Sequence, residues 1–255
     1  MVKSVGAACG TPQGFAAREC IDAFGGKIVN SKACPRPFAP LLGFLIVTMA
    51  LLGCDESSDA SSRVNGSVHV PAGRAAGAAD TVNGGIDIDA NAAVTSAKTV
   101  NGRIALGAHA TADSLTTVNG DINVGAGAHV SGALDSVNGA IILGDSALVG
   151  GSLENVNGGI RLSAARVDGG ITTVNGNIDI RGDSRVGGGI HVQKVDHGLL
   201  HFDNGLPRIV IGPGATVNGE LRFEREVKLY VSDRATVATV TGATAIPFSG
   251  ESPPN

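Results

Sequence analysis

Val100-Asn101-Gly102-Arg103-Ile104-Ala105-Leu106 returns 18 residues later as Val118-Asn119-Gly120-Asp121-Ile122-Asn123-Val124, the same phrase with its variable positions changed. The valines of Val-Asn-Gly stand at Val64, Val82, Val100, Val118, Val137, Val156 and Val174, separated by 18, 18, 18, 19, 19 and 18 residues. A late copy begins at Val217. A unit this short cannot enclose a core of its own. Its nearly constant phase describes one structural unit stacked on copies of itself.

Aligning the copies shows which positions point inward. Four residues after each valine comes Val68, Ile86, Ile104, Ile122, Ile141, Ile160 or Ile178, and two later Val70, Ile88, Leu106, Val124, Leu143, Leu162 or Ile180. The residue between them varies freely, from Asp87 to Ile142 to Arg161. Alternation with period two is a short half-buried strand, and the β-branched and glycine content excludes helix. A six-residue spacing runs beneath, through Val82, Ile88, Val94, Val100, Leu106, Ala112, Val118, Val124 and Val130, and again through Val174, Ile180, Val186 and Val192. Three hexads make one coil, which predicts a triangular cross-section whose 19-residue coils carry one extra corner residue between Val130 and Val137.

Asn-Gly between strands usually signals a hairpin. Hairpins would need a turn about every ten residues, whereas this dipeptide comes once per coil and always in the same phase. It is therefore expected at a solenoid corner, with Asn65, Asn83, Asn101, Asn119, Asn138, Asn157 and Asn175 stacked as a side-chain ladder. The expected fold is all-β: a single-stranded parallel β-helix of about 18 residues per coil and nine to ten coils over residues 64–248. Its hand is expected to be right, as for parallel crossovers generally. Nine or ten coils at roughly 4.8 Å each make a rod on the order of 45 Å long.

Composition bounds the function. Of 255 residues 38 are glycine, and Val64 to Val192 contains no Phe, Tyr or Trp. A narrow aliphatic core without aromatics lacks the stacking platforms that hold sugars or single-stranded nucleic acid. Net charge is −4; residues 1–53 carry five Lys/Arg against Glu19 and Asp22, so the remainder stands at −7. A rod of that balance with no basic stripe is a poor nucleic-acid ligand.

The N-terminal region reads as an export leader over residues 1–53. Lys32 and Arg36 precede an apolar run from Phe38 to Leu52, short for a membrane span, and Gly53-Cys54 closes it. Leu51, Gly53 and Cys54 resemble the bacterial lipobox, which implies acylation of the Cys54 thiol and a new N-terminus there. Cys9, Cys20 and Cys34 would be discarded, leaving a mature chain with no disulfide. The leader is long for its kind and points to a true start near Val29. Asp55 resembles the inner-membrane retention signal of enteric bacteria, with the outer membrane as the alternative. Residues 54–63 are then a flexible polar tether.

After Val174 the phase breaks. With Val192 taken as the next coil, the surplus falls at about 196–207, read as a protruding loop and the one place where specificity would concentrate. His197, His201, Phe202 and Asp203 are its candidate interaction residues. Asp196, His197, His201 and Asp203 have metal-compatible chemistry, but Gly198 and Gly205 argue against the helix that a His-x3-His site relies on. No metal or cofactor is expected. Phe223, Arg225, Val227, Leu229 and Val231 read as one long charged strand blunting the last coil. Residues 249–255 read as a disordered tail.

The run Ile209-Val210-Ile211-Gly212-Pro213-Gly214-Ala215-Thr216-Val217-Asn218-Gly219-Glu220-Leu221 resembles the coils of bactofilins, bacterial polymer-forming β-helix proteins. The Val-Asn-Gly phrase is also similar to the β-solenoid head domains of secreted adhesins. The resemblance implies a nucleotide-independent polymer, although bactofilins are usually cytoplasmic and this chain carries a lipobox. The expected function is a lipid-anchored scaffolding solenoid of the bacterial cell envelope, facing the periplasm and able to self-associate. The alternative is a module that binds an envelope partner through the 196–207 loop or a solenoid face. An acyltransferase of the hexapeptide kind fits less well, since its histidine base at a subunit cleft is not legible; no catalytic residue is expected.

Overall fold

The computed structural model describes residues 61–194 and 205–254, all within the unit Asp55–Asn255. The leader, Cys54, Asp55, residues 56–60 of the tether, and His197, His201, Phe202 and Asp203 lie outside the described residues. There is no helix in what is described, and every strand pair is parallel. The chain is a β-solenoid of about ten coils, and the hairpin reading of Asn-Gly is excluded.

One coil shows how the sequence builds the rest. Ile104 and Leu106 point inward on a first face, Ala110 and Ala112 on a second, Leu115 and Thr117 on a third, and all six are buried. The first faces stack as a sheet of ten strands, from Val68–Val70 to Ala245–Phe248. The second and third faces form one 16-stranded sheet. Its early strands, Ala75–Asn83, Ala93–Asn101 and Thr111–Asn119, run unbroken through both faces. From the next coil on, these faces are separate strands, His129–Val130 and Leu134–Asn138. Register explains the change: Ala112 pairs with Val130 but Leu115 with Leu134, so one extra residue enters at the Ser131–Ala133 corner, within the interval expected for it. There Gly132 N donates to Asp113 O at 2.7 Å and the Ser131 hydroxyl to Asp113 Oδ1 at 3.0 Å.

The first-to-second corner is a left-handed turn repeated up the rod. Positive φ recurs at Asn91, His109, Gly127, Ser146, Ala164 and Gly182. Four of these carry side chains, a cost that regular stacking of the corner outweighs.

The Val-Asn-Gly corner departs from the expected hexad. Its inward residue is the one before the valine: Thr81, Thr99, Thr117, Ser136, Asn155 and Thr173 are buried, while Val82, Val100, Val118, Val137 and Val156 lie half-buried on the outer surface. Alternation through Leu115 and Thr117 puts Val118 outside, and the next corner is longer than the other two. The polar interior column is satisfied locally except at Asn155, whose buried Oδ1 has no partner. Thr81, Thr99 and Thr117 donate their hydroxyls to Gly66, Gly84 and Gly102 carbonyls at 3.0, 2.9 and 3.1 Å. Ser136 reaches Gly120 O at 3.3 Å, and Asn155 Nδ2 reaches Gly139 O at 2.7 Å. Threonine is chosen there because it supplies a β-branched strand former and a donor for a carbonyl turned inward by the corner.

The late Val-Asn-Gly is a different feature. Val217 pairs with Val186 on the second face and points into the core, so Asn218 falls outside the ladder. Val192 stacks on Thr173, not on Val174. The supposed long strand is two, Leu221–Phe223 on the third face and Lys228–Ser232 on the first, with a corner between. Strand structure begins at Ser61, earlier than expected, so Ser61, Ser62 and Arg63 belong to the first coil rather than the tether. Residues 249–254 are placed rather than free: Glu251 pairs with Arg234 at 2.7 Å and Pro253 is buried.

Candidate interaction surfaces

The asparagine ladder forms as expected. Each Asn Nδ2 donates to the Oδ1 of the asparagine one coil earlier, from Asn83 to Asn65 up to Asn175 to Asn157, at 2.9–3.0 Å. The six bonds share one direction. Among the described residues the ladder ends in an amide donor at Asn65 and an amide acceptor at Asn175. Aligned amide dipoles make the Asn175 end negative, and the Arg225 guanidinium hydrogen bonds to Asn175 Oδ1 and, at 3.2 Å, to Val174 O. Continuing the register from Thr173–Val192 and Val192–Phe223 puts Lys194 and then Arg225 at the ladder position. Arg225 thus reaches down across a missing rung.

Lys194, at that rung, is the last described residue before the insertion. Ile178 pairs with Ile209, 31 residues on, so this coil carries about a dozen residues beyond its neighbours. Where the chain returns, Arg208 N donates to Asn177 Oδ1 at 2.8 Å. Beside the exit, His191 Nε2 lies 3.0 Å from Glu224 Oε1 and Arg222 3.1 Å from the same oxygen. The His191 hydrogen bond holds Glu224 below the usual carboxylate range.

The third face carries an outward row beside the valines. Asp80 pairs with Lys98, and Asp135 with Glu154 directly opposite. Burial pushes Asp135 up to about 6, and the Glu154 charge adds to the shift. Burial raises Asp80 as well, with Lys98 acting against it. Two shallow grooves cross the coils. One, of about 420 Å³, has Asp87 and Asp89 at one end and a floor of Ala105, Gly107 and Gly125. The other, of about 380 Å³, is lined by Ser146, Leu148, Arg166, Asp183 and Arg185. Among the described residues no group of three or more His, Cys, Asp or Glu is placed to hold a metal, and no helix is long and apolar enough to cross a membrane.

Among the described residues, the strands at each end of the rod are paired on one side only. At one end these are Ser61–Asn65 and Val68–Val70. At the other they are Thr236–Val237, Val240–Thr241 and Ala245–Phe248, where Val237, Val240 and Ala243 are only partly covered and Ile246 is 44% exposed. Pro247 lacks the N–H that its inward register position would point away from the sheet. Compared with known protein families, curated proteins and solved structures, the chain matches none.

Proposed function

We propose that this chain is a lipid-anchored structural solenoid of the bacterial cell envelope, held through Cys54 and extending by end-to-end association. The observation that carries the association is the incompletely covered C-terminal coil: edge strands in which Val237 and Val240 are only partly covered and Ile246 is exposed are a template for strand addition. Residues 61–157 hold four Lys/Arg against eight Asp/Glu, net −4, whereas residues 158–255 hold ten against ten, net zero. Contact between two acidic early halves is therefore opposed, which disfavours head-to-head pairing.

Electron microscopy with sedimentation of the unlipidated chain from Ser57 onward tests the reading across salt and concentration. Filaments or sheets that dissolve on Val240→Lys substitution support it. A discrete monomer at all concentrations sinks it. Cys54→Ser tests the anchor separately, by release from the membrane fraction. The second reading is a binding module using residues 196–207, favoured by the His191–Glu224–Arg222 cluster, whose Glu224 also accepts from the N–H of Lys194 at 3.4 Å. A monomer that captures an envelope component only while the insertion is intact supports that alternative.

A further inference from the structure

Asn-Gly is the dipeptide most prone to deamidation, because glycine leaves its nitrogen unhindered to attack the preceding side chain. This chain places that dipeptide at every ladder corner, yet the fold restrains both reacting groups. The attack needs the asparagine side chain to swing toward the next backbone nitrogen, and it needs that nitrogen free of its own hydrogen bond. For Asn83, Asn101, Asn119 and Asn138 the amide is held at both ends by ladder neighbours. Their glycines, Gly84, Gly102, Gly120 and Gly139, each donate N–H to an asparagine carbonyl of the next coil at 3.0 Å. Three hydrogen bonds guard each of these pairs.

Elsewhere the guard is thinner. Among the described residues Asn65 has no partner for its Nδ2, leaving one ladder bond and the Gly66 N–H bond. Asn157 keeps both ladder bonds, but Gly158, at φ +148°, has no partner for its N–H. Asn218 is exposed, stands outside the ladder and has no side-chain partner; its backbone N–H donates to Val186 O at 3.0 Å, but of the two reacting groups only Gly219 N is held, by its 3.1 Å bond to Gly188 O.

We propose that Asn218–Gly219 is a site of spontaneous modification and that the ladder chemically protects its own asparagines. Gly219 N, its proton taken by solvent base, bonds to Asn218 Cγ. The Cγ–Nδ2 bond breaks, Nδ2 takes up one proton and leaves as ammonia, and a succinimide closes. Water then opens either imide carbonyl, giving aspartate or isoaspartate. The product adds a carboxylate at a corner where Gly219 packs against the Gly188 and Gly189 backbone, and the iso form adds a backbone atom there.

The test follows the full chain by peptide mass mapping during incubation at mildly alkaline pH, each Asn-Gly peptide read separately. Asn204-Gly205 is scored apart, since Asn204 lies outside the described residues. One hydrogen bond fewer corresponds to a rate roughly fivefold higher, so Asn218 is expected to deamidate about 25-fold faster than Asn83, Asn101, Asn119 or Asn138, with Asn65 and Asn157 between. In denaturant these rates converge. Asn101→Ser, which takes one ladder bond from each of Asn83 and Asn119, is expected to raise their rates roughly fivefold and leave Asn157 unchanged. Ladder asparagines deamidating in step with Asn218 in the folded chain overturn the proposal. So does an Asn101→Ser variant, still folded by circular dichroism, whose neighbours keep their original rates.

Discussion

At Thr99 a hydroxyl donates to Gly84 O, a corner carbonyl turned toward the core. Thr99→Val keeps the shape and removes the donor, leaving that carbonyl without its partner at a cost of about 1–3 kcal/mol. Denaturant unfolding is expected to show the loss, while Val100→Thr on the outer surface changes stability by less than about 0.5 kcal/mol. Asp135 makes a pH prediction. Its folded pKa, about 6, stands above the unfolded value of 3.8, so the folded state binds the proton more tightly. Its contribution to stability is fully present below about pH 4 and is lost as pH rises through about 6. The loss is on the order of 1 kcal/mol once solvent screening is allowed for. Asp135→Asn is expected to flatten the stability profile over that window; an unchanged slope in chemical denaturation counts against the assignment.

Corners rather than strands set the tolerances of each coil. A Cβ on Gly102 would run into the Gly84 carbonyl oxygen of the coil beneath, and backbone on backbone has no rotamer with which to yield. Gly102→Ala is expected to cost about 3 kcal/mol or more, above the usual range for overpacking, and thermal unfolding checks it. The Ser131–Ala133 corner absorbs an added residue because the chain there turns outward, its Gly132 N–H and Ser131 hydroxyl both finding Asp113. The large insertion is tolerated for a related reason. Lys194, the last described residue before it, stands where the ladder already lacks a rung, and Arg225 closes the gap by binding Asn175 from two coils away.

Over the whole molecule, stability is a sum of neighbouring coil contacts, and the ends are where that sum is incomplete. The acidic early half opposes head-to-head contact, and the late half, with ten Lys/Arg against ten Asp/Glu over residues 158–255, adds no net attraction, so apolar burial at the open end drives association. Sedimentation is therefore expected to show assemblies that persist from low to high salt. Val240→Lys is expected to abolish them without lowering the unfolding midpoint, because Val240 is only half-buried in the last coil. Assemblies that dissolve at high salt would instead place charge, not the apolar edge, in control.

The sequence by itself determined the coil length, the parallel stacking, the first-face strands and the asparagine ladder. Each rests on local alternation or on a residue repeated in constant phase, and a one-residue slip would turn every side chain to the wrong face. Tertiary structure decided what depends on where a corner spends its residues. The valine of Val-Asn-Gly looks like core and faces out, whereas its threonine neighbour looks like surface and faces in, because the hydroxyl finds its acceptor in another coil. Val217 repeats the phrase on a different face, since the coils around it no longer have 18 residues and equal spacing no longer means equal register. The Arg225 cap was illegible for the same reason. It joins residues 50 apart through a rung that the chain skips, and no periodicity records a contact made once.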